Sequence, residues 1–199
     1  MQPVMARRPD GTLSLLFLPP EFSALLMEIP ALLDDDDRPE VRSRRYQMPT
    51  EDDEEANAEW ERMMHPELFH LVAEARDVVA RDLRLLERTH ADPAGGRLDI
   101  PADHRHAWIS AIQTIRISLG AEHAVQAEDM EDLSALAEPG ERARALMRIH
   151  VLGDLQGLLI HEADPNVAEG LVDWEPDTTP DDEWGEDDPG DDDLGDEDD

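Results

Sequence analysis

The chain has 199 residues, 50 acidic side chains against 17 basic ones, a formal net charge of −33 and no cysteine. That length fits one domain with appended polar segments, and the charge disfavours non-specific binding to phosphate backbones or anionic membranes. Without cysteine there is no disulfide, thiolate nucleophile, iron–sulfur cluster or cysteine zinc site, which is consistent with a reducing cytoplasm.

All 17 basic residues are arginine. Two readings stay open for this bias, a G+C-rich genome and adaptation to high salt, and they are compatible. The aromatic fraction is only 4%, so the core has to be built from Leu, Ile, Val and Ala, which suits helix packing.

Residues 1–11 read as a flexible N-terminus carrying Arg7 and Arg8. Thr12 to Leu18 is short and apolar and predicts a strand; it is too short for a signal-peptide core, and Pro19-Pro20 ends it. Pro19-Pro20-Glu21 opens a helix, with Phe22, Leu25, Leu26 and Ile29 on one face and a kink or stop at Pro30. Residues 34–49 read as a mobile loop: four aspartates, then a basic island of Arg38, Arg42, Arg44 and Arg45.

Thr50 with Asp53 fits a variant capping box, opening a helix to Met64 whose Trp60, Met63 and Met64 can dock on the core. A break is expected at His65-Pro66. From Glu67 to Thr89 the spacing of Leu68, Val72, Ala75, Val79, Leu83 and Leu86 predicts a strong amphipathic helix. Asp92 to Gly96 is a turn. Arg97 to Ile100 alternates like a strand able to pair with residues 12–18. The next helix, opened by Pro101 and Asp103, buries Trp108, Ile112, Ile115 and Leu119. Residues 121–140 are acidic and irregular. A last helix spans about 141–162, with Gly153 and Gly157 four apart permitting close helix approach.

From Asp173 onward there are 16 acids and no basic residue. Such a segment cannot bury enough apolar surface to offset its ordering entropy, about 1–2 kcal/mol per residue, so 163–199 reads as an acidic disordered tail. The remaining 34 acids still outnumber the arginines two to one, so the body is acidic as well. The expected fold is mainly α: a helical domain of four to five helices over 12–162 with a minor two-stranded β element. No span approaches the apolar length of a membrane helix.

From Leu86 the chain runs through a helix end, the Gly95-Gly96 turn, a strand carrying Leu98, and a helix carrying Ala107-Trp108, Ile115-Arg116 and Leu119-Gly120. These residues resemble the pattern of the AosR-like family, actinobacterial oxidative-stress regulators long described as a domain of unknown function, and the order of elements over roughly 12–162 agrees. The family's Asn-Asp pair is Gln113-Thr114 here. The resemblance implies the helical fold and a non-enzymatic regulatory role. The family's regulatory idea involves cysteine oxidation, which this chain cannot perform.

Trp108 and Arg116 stand out first, eight residues apart on one helix. The structural reading makes Trp108 a core anchor and Arg116 an ion-pair partner of Asp99 or of an acid on helix 67–89; the functional one makes them a partner groove. Glu67 and His70 have the spacing of a carboxylate-bridged metal motif, which requires a second copy and further acids. The nearest copy, Asp103 with His106, sits at a helix start, so no metal site is assigned. His150 with Asp154 reads as a core or boundary histidine. Ser110, His106 and Asp103 have no nucleophile elbow around them, and no phosphate-binding glycine loop occurs. The basic island can contact nucleic acid or pair with the acidic tail, which would then cover it until displaced. After the Gly95-Gly96 turn comes a strand-like segment rather than a basic recognition helix.

The expectation is therefore a cytoplasmic, non-enzymatic regulatory or adaptor protein without cofactor, acting on another protein in transcription or stress response. The partner-surface candidates are Trp108, Arg116, Arg38, Arg42, Arg44 and Arg45. The alternatives are a direct DNA-binding regulator and an unrecognised metal-binding or enzymatic helical protein.

Overall fold

The computed structural model describes residues 4–34, 39–46, 48, 50, 53–92, 95–131 and 140–163. The chain begins in a strand rather than a flexible arm: Val4–Arg7 (β1) pairs antiparallel with Leu13–Leu18 (β2). The turn between them explains the difference. Pro9 presets its backbone, the Gly11 N–H reaches the Arg8 carbonyl at 2.9 Å, and Gly11 takes φ +82°. The Thr12 N–H donates to the Asp10 carboxylate at 3.0 Å and holds that carboxyl below its ordinary pKa.

Gly96–Ile100 (β3) pairs with β2 as the alternation predicts, Leu13 opposite Ile100 and Leu15 opposite Leu98, giving the sheet order β1-β2-β3. A register shift between Leu15 and Leu18 coincides with Phe17 at φ +58°. Gly95 lies against this bulge, and a Cβ on it would meet the Phe17 Cα at 2.8 Å.

Pro20–Asp34 (α1) runs through Pro30. Pro39–Arg45 (α2) forms inside the expected loop. Its Val41 and, just after it, Tyr46 are buried, and this burial organises a stretch whose composition reads as a loop. The largest departure is Glu54–Thr89 (α3), one helix of 36 residues with no break at Pro66, about 54 Å long. Proline there costs one backbone bond. Pro66 lies in an exposed stretch of the helix, where water can satisfy the freed carbonyl. The N-cap is Asp53 rather than Thr50: its carboxylate accepts the Ala56 N–H at 2.9 Å, and the Thr50 hydroxyl accepts the Asp53 N–H at 3.3 Å.

A single 3-10 turn at Ala102–His104 leads into Arg105–Glu122 (α4). The region expected to be irregular begins with the last turn of α4 and the short Ala127–Glu131 (α5). Glu141–Ala163 (α6) closes the described chain. The core is a single cluster: β2 and β3 supply Leu13, Leu18, Leu98 and Ile100, and the four long helices supply Leu26, Ile29, Val79, Leu83, Trp108, Ile112, Ile115, Leu146 and Leu152. The architecture is thus mainly helical with a small antiparallel sheet. No helix among the described residues is long and apolar enough to cross a membrane. The acidic tail, residues 35–38 and residues 132–139 lie outside the described residues.

Candidate functional site

Of the two residues singled out on α4, Trp108 is a core anchor. Trp108 is fully buried, and its Nε1–H donates to Asp82 on α3 at 2.9 Å. The His104 Nδ1 meets the same carboxylate at 2.9 Å, and since a carboxylate only accepts, Nδ1 carries the hydrogen. Asp82 thus ties α3, the 3-10 turn and α4 together from a side chain only 6% exposed. Sequence reasoning passed over Asp82. Its signal is its position: an acid beside Val79, Leu83 and Leu86, on the apolar face rather than the polar one.

Arg116 makes no ion pair with Asp99 or with α3, contrary to expectation. Asp99 is already held by Arg8 at 2.9 Å, Arg97 at 2.8 Å and the Ser14 hydroxyl at 2.8 Å. The Arg116 Nη1 donates instead to the Gln156 Oε1 at 2.6 Å, and the Gln156 amide donates on to Gln113 and to the Ile109 carbonyl. Arg116 lies across Gly153 of α6, where an added Cβ would meet its Cζ at 3.3 Å. Gly157 faces open space. Only one of the two glycines therefore serves close approach.

The basic island does not form one cationic face. Arg45 is half-buried: it donates to the Leu32 carbonyl at 3.0 Å and the Ser118 hydroxyl at 2.6 Å, which places a cation on the C-terminus of α1 and complements its dipole. Arg44 reaches the Val125 carbonyl at 3.5 Å, and Arg42 pairs loosely with Glu61 of α3 at 3.7 Å. Arg38 lies outside the described residues. Glu67 and His70 are both exposed, and His70 pairs with Glu74 at 3.1 Å instead. Among the described residues no three His, Asp or Glu side chains stand close enough to hold a metal ion.

The feature that the structure brings forward is the N-terminal part of α3. All four buried residues of this helix lie between Ala75 and Leu86. Residues 54–74, about 31 Å of helix, contain none, and Val72 near the end of the stretch packs partly against the core. Yet this stretch carries Met63, Met64, Phe69 and Leu71, each more than 40% exposed, with Met48 beside it. Met64, Leu68 and Leu71 continue, at helical spacing, the stripe that enters the core at Ala75. One flank is braced by α2. The Tyr46 and His65 rings meet edge to face with centroids 4.7 Å apart. A cleft of about 230 Å³ opens between the two helices, lined by Arg42, Tyr46, Met48, Trp60, Glu61 and His65 among others.

The polar side of this ledge is acidic. Residues 54–74 hold six glutamates and one arginine, Arg62, which pairs with Glu59 at 3.6 Å. Large exposed apolar side chains grouped on one element mark interaction surfaces, and flexible methionines adapt to varied partners. Sequence reasoning placed Trp60, Met63 and Met64 against the core. It assumed a helix break at Pro66, which would have let the segment fold back.

A second apolar groove of about 430 Å³ lies between the sheet and α6, lined by Met5, Leu15, Leu18, Phe22, Val151 and Leu158 among others, with Asp154 on its wall.

Comparison with characterised proteins and with solved structures finds no match for this chain. Residues 9–163 match a family described as a domain of unknown function, DUF2017. The match begins at the β1–β2 turn and ends at the last residue of α6, so it takes in nearly the whole described fold. The chain belongs to the DUF2017 family.

Proposed function

We propose that the protein is a non-enzymatic regulatory or adaptor protein, in transcription or stress response, that works by binding another protein on the ledge formed by α2 and residues 54–74 of α3. The observation that carries this reading is a helix stretch with no buried residue that nevertheless displays Met63, Met64, Phe69 and Leu71. Exposing such side chains in water costs solubility and contributes nothing to the fold. The regulatory part of the reading is supported by the resemblance of the Leu86–Gly120 stretch to the AosR-like oxidative-stress regulators. A cytoplasmic location belongs to the same proposal, and the absence of cysteine fits it.

The test is a paired capture from native lysate with the full chain and with a Met64→Ser/Phe69→Ser/Leu71→Ser variant. All three positions are exposed, so the variant should keep the wild-type helical spectrum. A protein retained by the wild type and lost by the variant is the expected result. Identical retained sets would remove the ledge as the working surface.

A further inference from the structure

We infer that the occupant of the α3 ledge is a basic amphipathic helix of the partner protein; this inference rests on the adaptor reading above. The ledge is a helix surface with an apolar stripe and a cation-poor margin. A partner helix would lay its own apolar stripe along Met64, Leu68 and Leu71, read at the same spacing of three and four residues. Its flanks would then run alongside Glu61, Glu67 and Glu74, with Glu54 at the N-terminal end. Cationic flanks satisfy that margin and acidic ones are repelled by it. Methionine at 48, 63 and 64 leaves the apolar floor deformable, so the surface selects the partner by charge and stripe more than by exact shape.

The same charge argues against a second copy of this chain. Two ledges packed face to face would set Glu54, Glu61, Glu67 and Glu74 of one copy against the same glutamates of the other. Among the described residues, the arginines nearby are already engaged: Arg62 with Glu59, Arg42 with Glu61 and Arg76 with Asp34 and Asp77. A cationic partner would supply the counter-charge that these pairs leave unmet.

The experiment uses the full chain and three labelled synthetic peptides of about 18 residues, about 27 Å as a helix. One is a lysine–leucine peptide with the apolar residues in a helical stripe. The second is its scrambled isomer, and the third replaces every lysine by glutamate. Binding is followed by fluorescence anisotropy at about 0.15 M salt, where long-range attraction between surface charges is largely screened. The striped basic peptide is expected to bind about tenfold or more tighter than its scrambled isomer. The Met64→Ser/Phe69→Ser/Leu71→Ser variant should erase that advantage, and Glu61→Gln/Glu67→Gln/Glu74→Gln should weaken the striped peptide while its salt dependence flattens.

Equal binding of striped and scrambled peptides, or full binding to the serine variant, would overturn the inference. So would preference for the glutamate peptide, or a wild-type dimer in sedimentation that the serine variant dissolves. If the lysate partner is lost on the serine variant while the peptides fail to discriminate, the adaptor reading stands and only the basic-helix occupant falls. If neither experiment responds to the ledge, both fall.

Discussion

Replacing Asp82 with alanine removes two acceptors at once. The Trp108 Nε1–H, on a side chain with no solvent exposure, loses its partner at 2.9 Å and is left buried without one, a cost of about 1–3 kcal/mol. The His104 ring also loses its bond to the carboxylate. Its side chain is 19% exposed, so water replaces part of that bond and the loss is about 0.5–1.5 kcal/mol. Together the two losses come to about 1.5–4.5 kcal/mol, a large fraction of the stability of a domain this size. Asp82→Asn should fall between, because the amide keeps one acceptor and turns a donor toward a donor. Urea unfolding of the full chain, followed by far-UV circular dichroism, measures the loss. A double-mutant cycle with Trp108→Phe, which deletes the indole N–H, isolates the shared bond and should return a coupling of about 1–2 kcal/mol. An Asp82→Ala loss below about 0.5 kcal/mol, or a coupling within about 0.3–0.5 kcal/mol of zero, would refute the view that this carboxylate holds α3 to α4.

Five further substitutions probe the frame. Gly157→Ala should stabilise the fold by about 1 kcal/mol, as expected for an open helix-interior glycine. Gly153→Ala should gain at least about 0.5 kcal/mol less, because its Cβ meets Arg116; equal gains in urea midpoints would contradict the packing described. Ala124 sits at φ +50° just past α4, where the Val125 N–H reaches back to the Gly120 carbonyl at 2.9 Å. Ala124→Gly should therefore raise stability by about 0.5–1 kcal/mol, seen as a higher melting temperature. Arg45→Ala should cost about 2 kcal/mol through the lost Leu32 and Ser118 bonds. Arg42→Ala should stay within about 0.5 kcal/mol, as for an exposed pair. Similar losses at both positions would restore the island as one functional unit.

The helices of the core were legible because burial and period coincide in them. Val79, Leu83 and Leu86 on α3, and Trp108, Ile112, Ile115 and Leu119 on α4, repeat at helical spacing and are all buried. The pairing of β2 with β3 was legible from alternation alone. β1 was not, because its residues are mostly exposed and only the Pro9-Asp10-Gly11 turn betrays it. α2 was not, because a seven-residue helix carries one buried residue, too few to show a period. The α3 ledge was misread for a different reason. Proline is treated as a break when a helix is judged by its own hydrogen bonds, but a helix already anchored by Val79, Leu83 and Leu86 propagates through one missing bond. At the site, arginine clustering in sequence suggested a patch, whereas side-chain reach sends Arg45 inward and Arg42 outward.

What holds the first 21 residues of α3 helical bears on how the ledge works. A helix of that length alone in water is marginal, and here its glutamates repel one another along the rod. The Asp53 cap, Glu54 and Glu55 in the first turn, and the α2 brace at Tyr46 and His65 each add a modest contribution. The rest comes from the packed half, whose order propagates outward. The ledge is therefore pre-formed but sits at the low-stability end of the molecule, where binding surfaces are commonly drawn from. Two features weaken it, apolar side chains in water and unbalanced glutamates, and both are relieved by one kind of neighbour, an apolar helix edged with cations. A sequence shaped only for stability could replace the exposed apolar side chains, and the glutamates beyond the first turn, without opening the core, since no residue of this stretch is buried. Their coexistence on the stretch of α3 that buries no residue is the strongest internal argument that the surface is kept for a partner.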